Sequence, residues 1–181
     1  SWDVAVNVAS NEEKVTVDEA VQIMRPCYEK FGETYQKAFD DAINEHWCDI
    51  YPNKNIKQVV YIKNVITRSN IVVGEYTYYD DVNGAEKFED HVTHHYEFLG
   101  DKLIIGKFCA IAKGIEFVMN GANHRMNSVT TYPFNIMGGG WEQFTPSLDD
   151  LPLKGDTVVG NDVWIGQNTT VMPGVHTGDG A

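Results

Sequence analysis

Thr157-Val158-Val159-Gly160-Asn161-Asp162-Val163-Trp164-Ile165-Gly166-Gln167-Asn168-Thr169-Thr170-Val171-Met172 decides the fold of this chain. Its aliphatic residues Val159, Ile165 and Val171 return every sixth position, and Thr177-Gly178 continues the interval. Upstream, Ile105-Gly106, Ile111-Ala112 and Phe117-Val118 keep the same step. A second register supports the first. Small or branched residues stand two positions before the aliphatic ones: Cys109 before Ile111, Thr157 before Val159, Val163 before Ile165 and Thr169 before Val171. A fixed six-residue period predicts a parallel β-helix, mainly β in class, whose coils have three short sides and send one aliphatic per side into the core.

The period breaks between residues 123 and 156. A loop of that length is uncommon in a compact domain unless it is functional or disordered. Its Tyr132-Pro133-Phe134, Trp141, Phe144 and Leu148 are too apolar for a solvated tail, and Gly138-Gly139-Gly140 gives it local freedom. The expectation is a protruding loop that walls a binding cleft. At its root stands Asn120-Gly121-Ala122-Asn123-His124-Arg125-Met126, which places His124 where coil becomes loop.

Residues 1–54 differ in character and are expected to form a short helical N-terminal appendage of packing or oligomer-capping role. Thr16-Val17-Asp18-Glu19 has the form of a capping box, and Pro26 ends or kinks the helix that follows. Tyr28, Phe31, Tyr35, Ala38, Phe39, Ala42, Ile43 and Trp47 then recur at helical steps, with Gly32 weakening the run. Lys30 to Tyr51 loosely resembles a helical stretch of oligoendopeptidases. The His-Glu-x-x-His helix that would hold their zinc is missing, so no peptidase is expected.

From about Asn55 the chain turns β-like, with Val59-Val60-Tyr61-Ile62 and Ile71-Val72-Val73. Tyr76, Tyr78 and Tyr79 beside Asp80 are either one strand face or the wall of a cavity for a bulky organic ligand. His91, His94 and His95 have metal-like spacing, but Val92, Tyr96 and Phe98 mark the segment as extended or irregular, and no metal site is expected.

The formal charge of −12 on 181 residues argues against a nucleic-acid surface and gives no support for docking on anionic membranes. Cys27, Cys48 and Cys109 are an odd set without framework spacing, no signal peptide is evident, and no apolar run approaches the roughly 20 residues of a membrane span. Reduced thiols in the cytoplasm are the expectation, with Cys109 a buried structural thiol.

Several motifs together resemble a known family. They are Val73-Gly74-Glu75-Tyr76-Thr77-Tyr78-Tyr79-Asp80, the Asn120–Met126 stretch, Thr131-Tyr132-Pro133-Phe134, Leu151-Pro152-Leu153-Lys154-Gly155-Asp156 and Gly160-Asn161-Asp162-Val163-Trp164-Ile165-Gly166. In this order, over residues 55–181, they are similar to the hexapeptide-repeat xenobiotic acetyltransferases. The streptogramin A (virginiamycin) acetyltransferases are nearest, and the related chloramphenicol acetyltransferases match less well. The resemblance implies a left-handed β-helix and a homotrimer with active sites between subunits. It also implies acetyl-CoA as co-substrate and a small-molecule antibiotic held under the loop. The family's catalytic histidine falls on His124, its acceptor-lining tyrosines on Tyr78 and Tyr96, and its tryptophan near the thioester on Trp164, which could equally pack against a neighbouring subunit. Three departures stand out: residues 1 to about 50 have no counterpart, Asn127-Ser128-Val129 replaces a shorter Asp-Gly turn, and the family's later coils and C-terminal helices are absent.

The chemistry implied is direct acetyl transfer. An alcohol is a poor nucleophile, and an imidazole, titrating ordinarily near pH 6.5, is suited to take its proton. Other acceptors (chloramphenicol, a sugar, an endogenous alcohol), a non-catalytic β-helix scaffold, and a zinc hydratase on a similar β-helix are the competing readings.

Overall fold

The computed structural model describes residues 49–181. The helical reading of the N-terminal segment falls on residues outside that range. Ten short strands carry the described part: β1 (Val59–Tyr61), β2 (Ile71–Val73), β3 (Tyr78–Asp80), β4 (Val92–Thr93), β5 (Leu103–Ile105), β6 (Ala110–Ala112), β7 (Glu116–Val118), β8 (Thr157–Val159), β9 (Trp164–Ile165) and β10 (Thr170–Val171). They fall into three sheets, β2-β5-β8, β1-β3-β6-β9 and β4-β7-β10. From β2 onward the chain visits these sheets in a fixed rotation, and every pairing among β2–β10 is parallel. That order is compatible with a β-helix. β1 runs antiparallel to β3 and covers what would be an open sheet edge.

Both sequence registers point inward. Cys109 with Ile111, Ile115 with Phe117, Thr157 with Val159 and Val163 with Ile165 are all buried. Side chains two positions apart in a strand share a face, so each side of a coil sends a pair into the core. Side chains from all three sheets, among them Ile105, Ile111 and Phe117, meet in one apolar cluster. Burial of an aliphatic or phenyl side chain contributes roughly 1.5–3 kcal/mol, so this repeated pair is the main source of cohesion. Among the described residues, no helix is long and apolar enough to cross a membrane.

The three tyrosines do not share a face. Tyr79 is buried in the core, Tyr78 points out from β3, and Tyr76 sits at the corner before that strand with its ring stacked on Phe108 at 5.2 Å. Burial, foremost, and the bond it donates to Asp81 push the Tyr79 phenol far above its ordinary value. At the same corner Tyr76, Phe108 and Asp162 all adopt positive φ, near 60°. Successive backbones approach so closely there that a Cβ on Gly106 would lie 2.5 Å from the Gly160 carbonyl oxygen. Asn161 fastens the corner by accepting the Lys107 amide at 2.8 Å. Glu75, also buried, receives Lys63 Nζ at 2.7 Å and Lys107 Nζ at 3.3 Å on its two oxygens.

The long loop enters between β7 and β8. Leu103 pairs with Thr157, Ile111 with Ile165 and Phe117 with Val171, a displacement of 54 positions in every sheet. The insertion therefore leaves the phase of the coil untouched. It contains three 3₁₀ turns, Phe134–Ile136, Trp141–Phe144 and Leu148–Asp150, and an edge-to-face cluster of Tyr132, Phe134 and Trp141.

Candidate active site

After β7 the Met119 amide donates to the Thr93 carbonyl, and the 3₁₀ turn Asn120–Ala122 stacks on the preceding coil through Gly121 N–H to the His94 carbonyl. Gly121 must lack a side chain here. A Cβ would come 2.5 Å from the His94 oxygen and from two ring atoms of Tyr96. The Tyr96 ring therefore lies on the turn that delivers His124. It is half exposed and stacks nearly parallel on Phe98, with centroids 5.6 Å apart.

His124 is exposed, and its Nδ1 lies 2.7 Å from the Thr131 carbonyl oxygen. A carbonyl only accepts, so in the neutral ring Nδ1 carries the proton and Nε2 keeps a lone pair. In that tautomer Nε2 is free to accept a hydrogen bond or a proton.

Tyr78 and Trp164 stand elsewhere. Tyr78 pairs in register with Ala110, and Ala110 with Trp164, so the three form one outward row across β3, β6 and β9. Trp164 is 77% exposed, and Ala110 leaves a notch between the two rings. Because the three sheets enclose one core, this row lies across that core from the connection that bears His124. Within one chain the structure brings Tyr96 near the His124 turn and Tyr78 near Trp164, but does not unite the two pairs.

The three closely spaced histidines diverge. His91 Nε2 lies 3.0 Å from the Tyr79 hydroxyl, and His95 Nε2, buried, lies 2.9 Å from the Asp101 carbonyl. His94 is exposed, with positive φ. Among the described residues no group of three or more His, Cys, Asp and Glu could hold a metal ion. Cys109 is sealed in the core with Sγ 3.1 Å from the Gly160 carbonyl, and burial pushes its thiol up to about 11, which removes it as a nucleophile at neutral pH.

The sequence singled out Asn120 only through its place in the motif. It is buried, and its side chain joins three segments. Nδ2 donates to Asp101 Oδ2 and to the Gly155 carbonyl, each at 2.7 Å, while Oδ1 accepts the Lys154 amide at 2.6 Å. Asn123 Nδ2 adds a bond to the Pro152 carbonyl at 3.0 Å. Two asparagines three positions apart at the root of a long loop were the available sign, but their partners lie some thirty residues away in sequence.

No protein-family model matches the chain. Comparison with individual proteins is informative. A Lysinibacillus sphaericus protein named "Probable macrolide acetyltransferase" is 71% identical over 102 residues, which is 56% of this chain and 57% of that protein. The virginiamycin A acetyltransferase of Staphylococcus aureus is 57% identical over 115 residues, 62% of this chain and 52% of that enzyme. The chain is similar to curated acetyltransferases. A chloramphenicol acetyltransferase of Agrobacterium fabrum is more distant, at 43% identity over 114 residues, 62% of this chain and 54% of the enzyme. The chain thus spans about half the length of these relatives, all three of which are named as acetyltransferases.

Proposed function

We propose that this protein transfers an acetyl group from acetyl-CoA to a secondary hydroxyl of a xenobiotic, a streptogramin A antibiotic foremost, with His124 as general base. The observation that carries this reading is the Nδ1 contact of exposed His124 with the Thr131 carbonyl, which in the neutral ring leaves Nε2 as an acceptor. Nε2 takes the hydroxyl proton as the oxygen bonds to the thioester carbonyl carbon. The tetrahedral intermediate collapses, the carbon–sulfur bond breaks, and the imidazolium returns the proton to the departing thiolate. General-base catalysis of this kind typically supplies about 10²–10⁴-fold.

The coil is read as a left-handed parallel β-helix and the molecule as a cytoplasmic homotrimer with its sites between subunits. The separation of the Tyr78–Trp164 row from the His124 loop supports that assembly. A neighbouring copy can present the row to His124, whereas the chain's own core stands between them. The notch at Ala110 beside Trp164 suits the narrow acyl-bearing arm of acetyl-CoA, and Tyr78 and Tyr96 supply aromatic faces with phenol groups to orient an acceptor. The names of the relatives favour a macrolide hydroxyl as the second reading of the acceptor and chloramphenicol as the third.

Thiol release from acetyl-CoA, measured with streptogramin A, macrolide, chloramphenicol and sugar acceptors, tests the proposal. Release with streptogramin A, lowered at least about 100-fold by His124→Ala with the fold intact, is expected. Near-native turnover in that variant overturns the role of His124, and no release with any acceptor favours a binding scaffold.

A further inference from the structure

The two arms of the long loop are joined by three polar rungs that climb from its root. The first is Asn120 to Lys154 and Gly155, the second Asn123 to Pro152, and the third Arg125 Nη2 to Asp150 Oδ1 at 3.8 Å. Outgoing positions rise as returning positions fall, so the rungs close like a zipper. His124 lies between the second and third.

The first rung is the anchor. Asn120 is almost wholly buried, and its amide is saturated: two N–H donors reach Asp101 and Gly155, and the oxygen accepts from Lys154 and from Asn123 Nδ2 at 3.2 Å. Flipping the amide would set acceptors against Asp101 and Gly155 and donors against Lys154 N–H, so its orientation is fixed. Its own backbone N–H also meets Asp101 Oδ2, at 3.1 Å. Asp101 is thereby the peg and Asn120 the clasp.

We propose that Asn120, with Asn123 above it, is a positioning residue that sets the tautomer of His124 by holding the loop arms together. The inference deepens the general-base reading of His124 and rests on it for its catalytic meaning, though not for its physical content. His124 and its acceptor Thr131 both belong to the segment that the rungs close. When the arms part, the Thr131 carbonyl leaves the ring, and a solvated neutral imidazole prefers the opposite tautomer, with the proton on Nε2. A base in that form has no lone pair to offer at the reacting face.

The experiment follows the imidazole ¹⁵N signals of His124, assigned by their loss in His124→Gln, at a pH where the ring is neutral. In the unaltered protein Nδ1 should appear protonated and Nε2 unprotonated. Asn120→Ala should raise the Nε2-protonated population about fivefold or more, the shift expected for losing one ordinary hydrogen bond. Asn123→Ala, at a half-buried position, should move it in the same direction by less. In thiol release both should lower kcat while leaving the KM for acetyl-CoA unchanged. If Asn120→Ala fails to fold, Asn123→Ala decides alone. An unchanged tautomer in a folded variant overturns the proposal, even where turnover falls. A shifted tautomer in a protein that releases no thiol with any acceptor upholds the clasp and overturns the acetyltransferase reading instead.

Discussion

Gly106→Ala should weaken the whole coil. A methyl built there would sit 2.5 Å from the Gly160 oxygen, 2.6 Å from its carbonyl carbon and 2.7 Å from Asn161 N. Ordinary contacts begin near 3.4 Å, so the shortfall approaches 1 Å, and each obstructing atom is backbone that cannot rotate aside. Overpacking of this kind costs typically about 1–3 kcal/mol, and the upper end applies where nothing can yield. For a domain of this size about 3 kcal/mol corresponds to a Tm roughly 6–12 °C lower. Gly166→Ala is the control. It has open space around its Cβ, and the same stacking column already carries Asp80 and Ala112, so its change should stay within about 0.5 kcal/mol. Thermal and urea unfolding of the two variants, compared with the unaltered protein, provide the measurement. Equal midpoints for both alanines would refute the argument that close backbone approach makes that corner a glycine position.

Three further outcomes follow from other parts of the molecule. Burial works to raise the Glu89 carboxyl, but the amides of Arg68 and Thr67 and the Thr67 hydroxyl outweigh it and hold the group below its ordinary value. A depressed carboxyl contributes stability above its unfolded value and loses it as pH falls through the folded one. Glu89→Gln should therefore cost about 1.5–3 kcal/mol at pH 7, with the gap to the unaltered protein closing in acid, read by urea unfolding across pH. Ala110→Leu fills the notch between Tyr78 and Trp164 from the outer face, and should raise the KM for acetyl-CoA at least about tenfold without lowering Tm; an unchanged KM would remove that row from the substrate site. Cys109, buried with its thiol pushed up to about 11, should resist alkylation at pH 7.5 until the protein unfolds, as mass spectrometry of iodoacetamide-treated samples would report.

The coil was legible because burial enforces a period. Val159, Ile165 and Val171, with the smaller residues two positions earlier, can reach a shared core only if each side of the coil repeats in step. Tyr76, Tyr78 and Tyr79 were less legible. Aromatic side chains serve equally as core, corner and outer face, and these three take one place each. His124 was singled out by motif and position, yet nothing in its immediate sequence announces the Thr131 carbonyl that its Nδ1 meets. Asn120 and Asp101 were missed for a related reason: a polar clasp follows no period, and its members come together only after the coil has folded. The separation of Tyr78 and Trp164 from His124 depends on which side of the coil each occupies, which the order of residues alone does not display.

Because every sheet resumes in phase after the excursion between β7 and β8, the length and content of that excursion are uncoupled from the body that carries it. A graft cut at Asn123 and Pro152, keeping Asp101 and Asn120 as its socket, would exchange the excursion while leaving the three sheets as they stand. The outermost part of the molecule can then be remade by exchange of one module, with no renegotiation of the architecture beneath it.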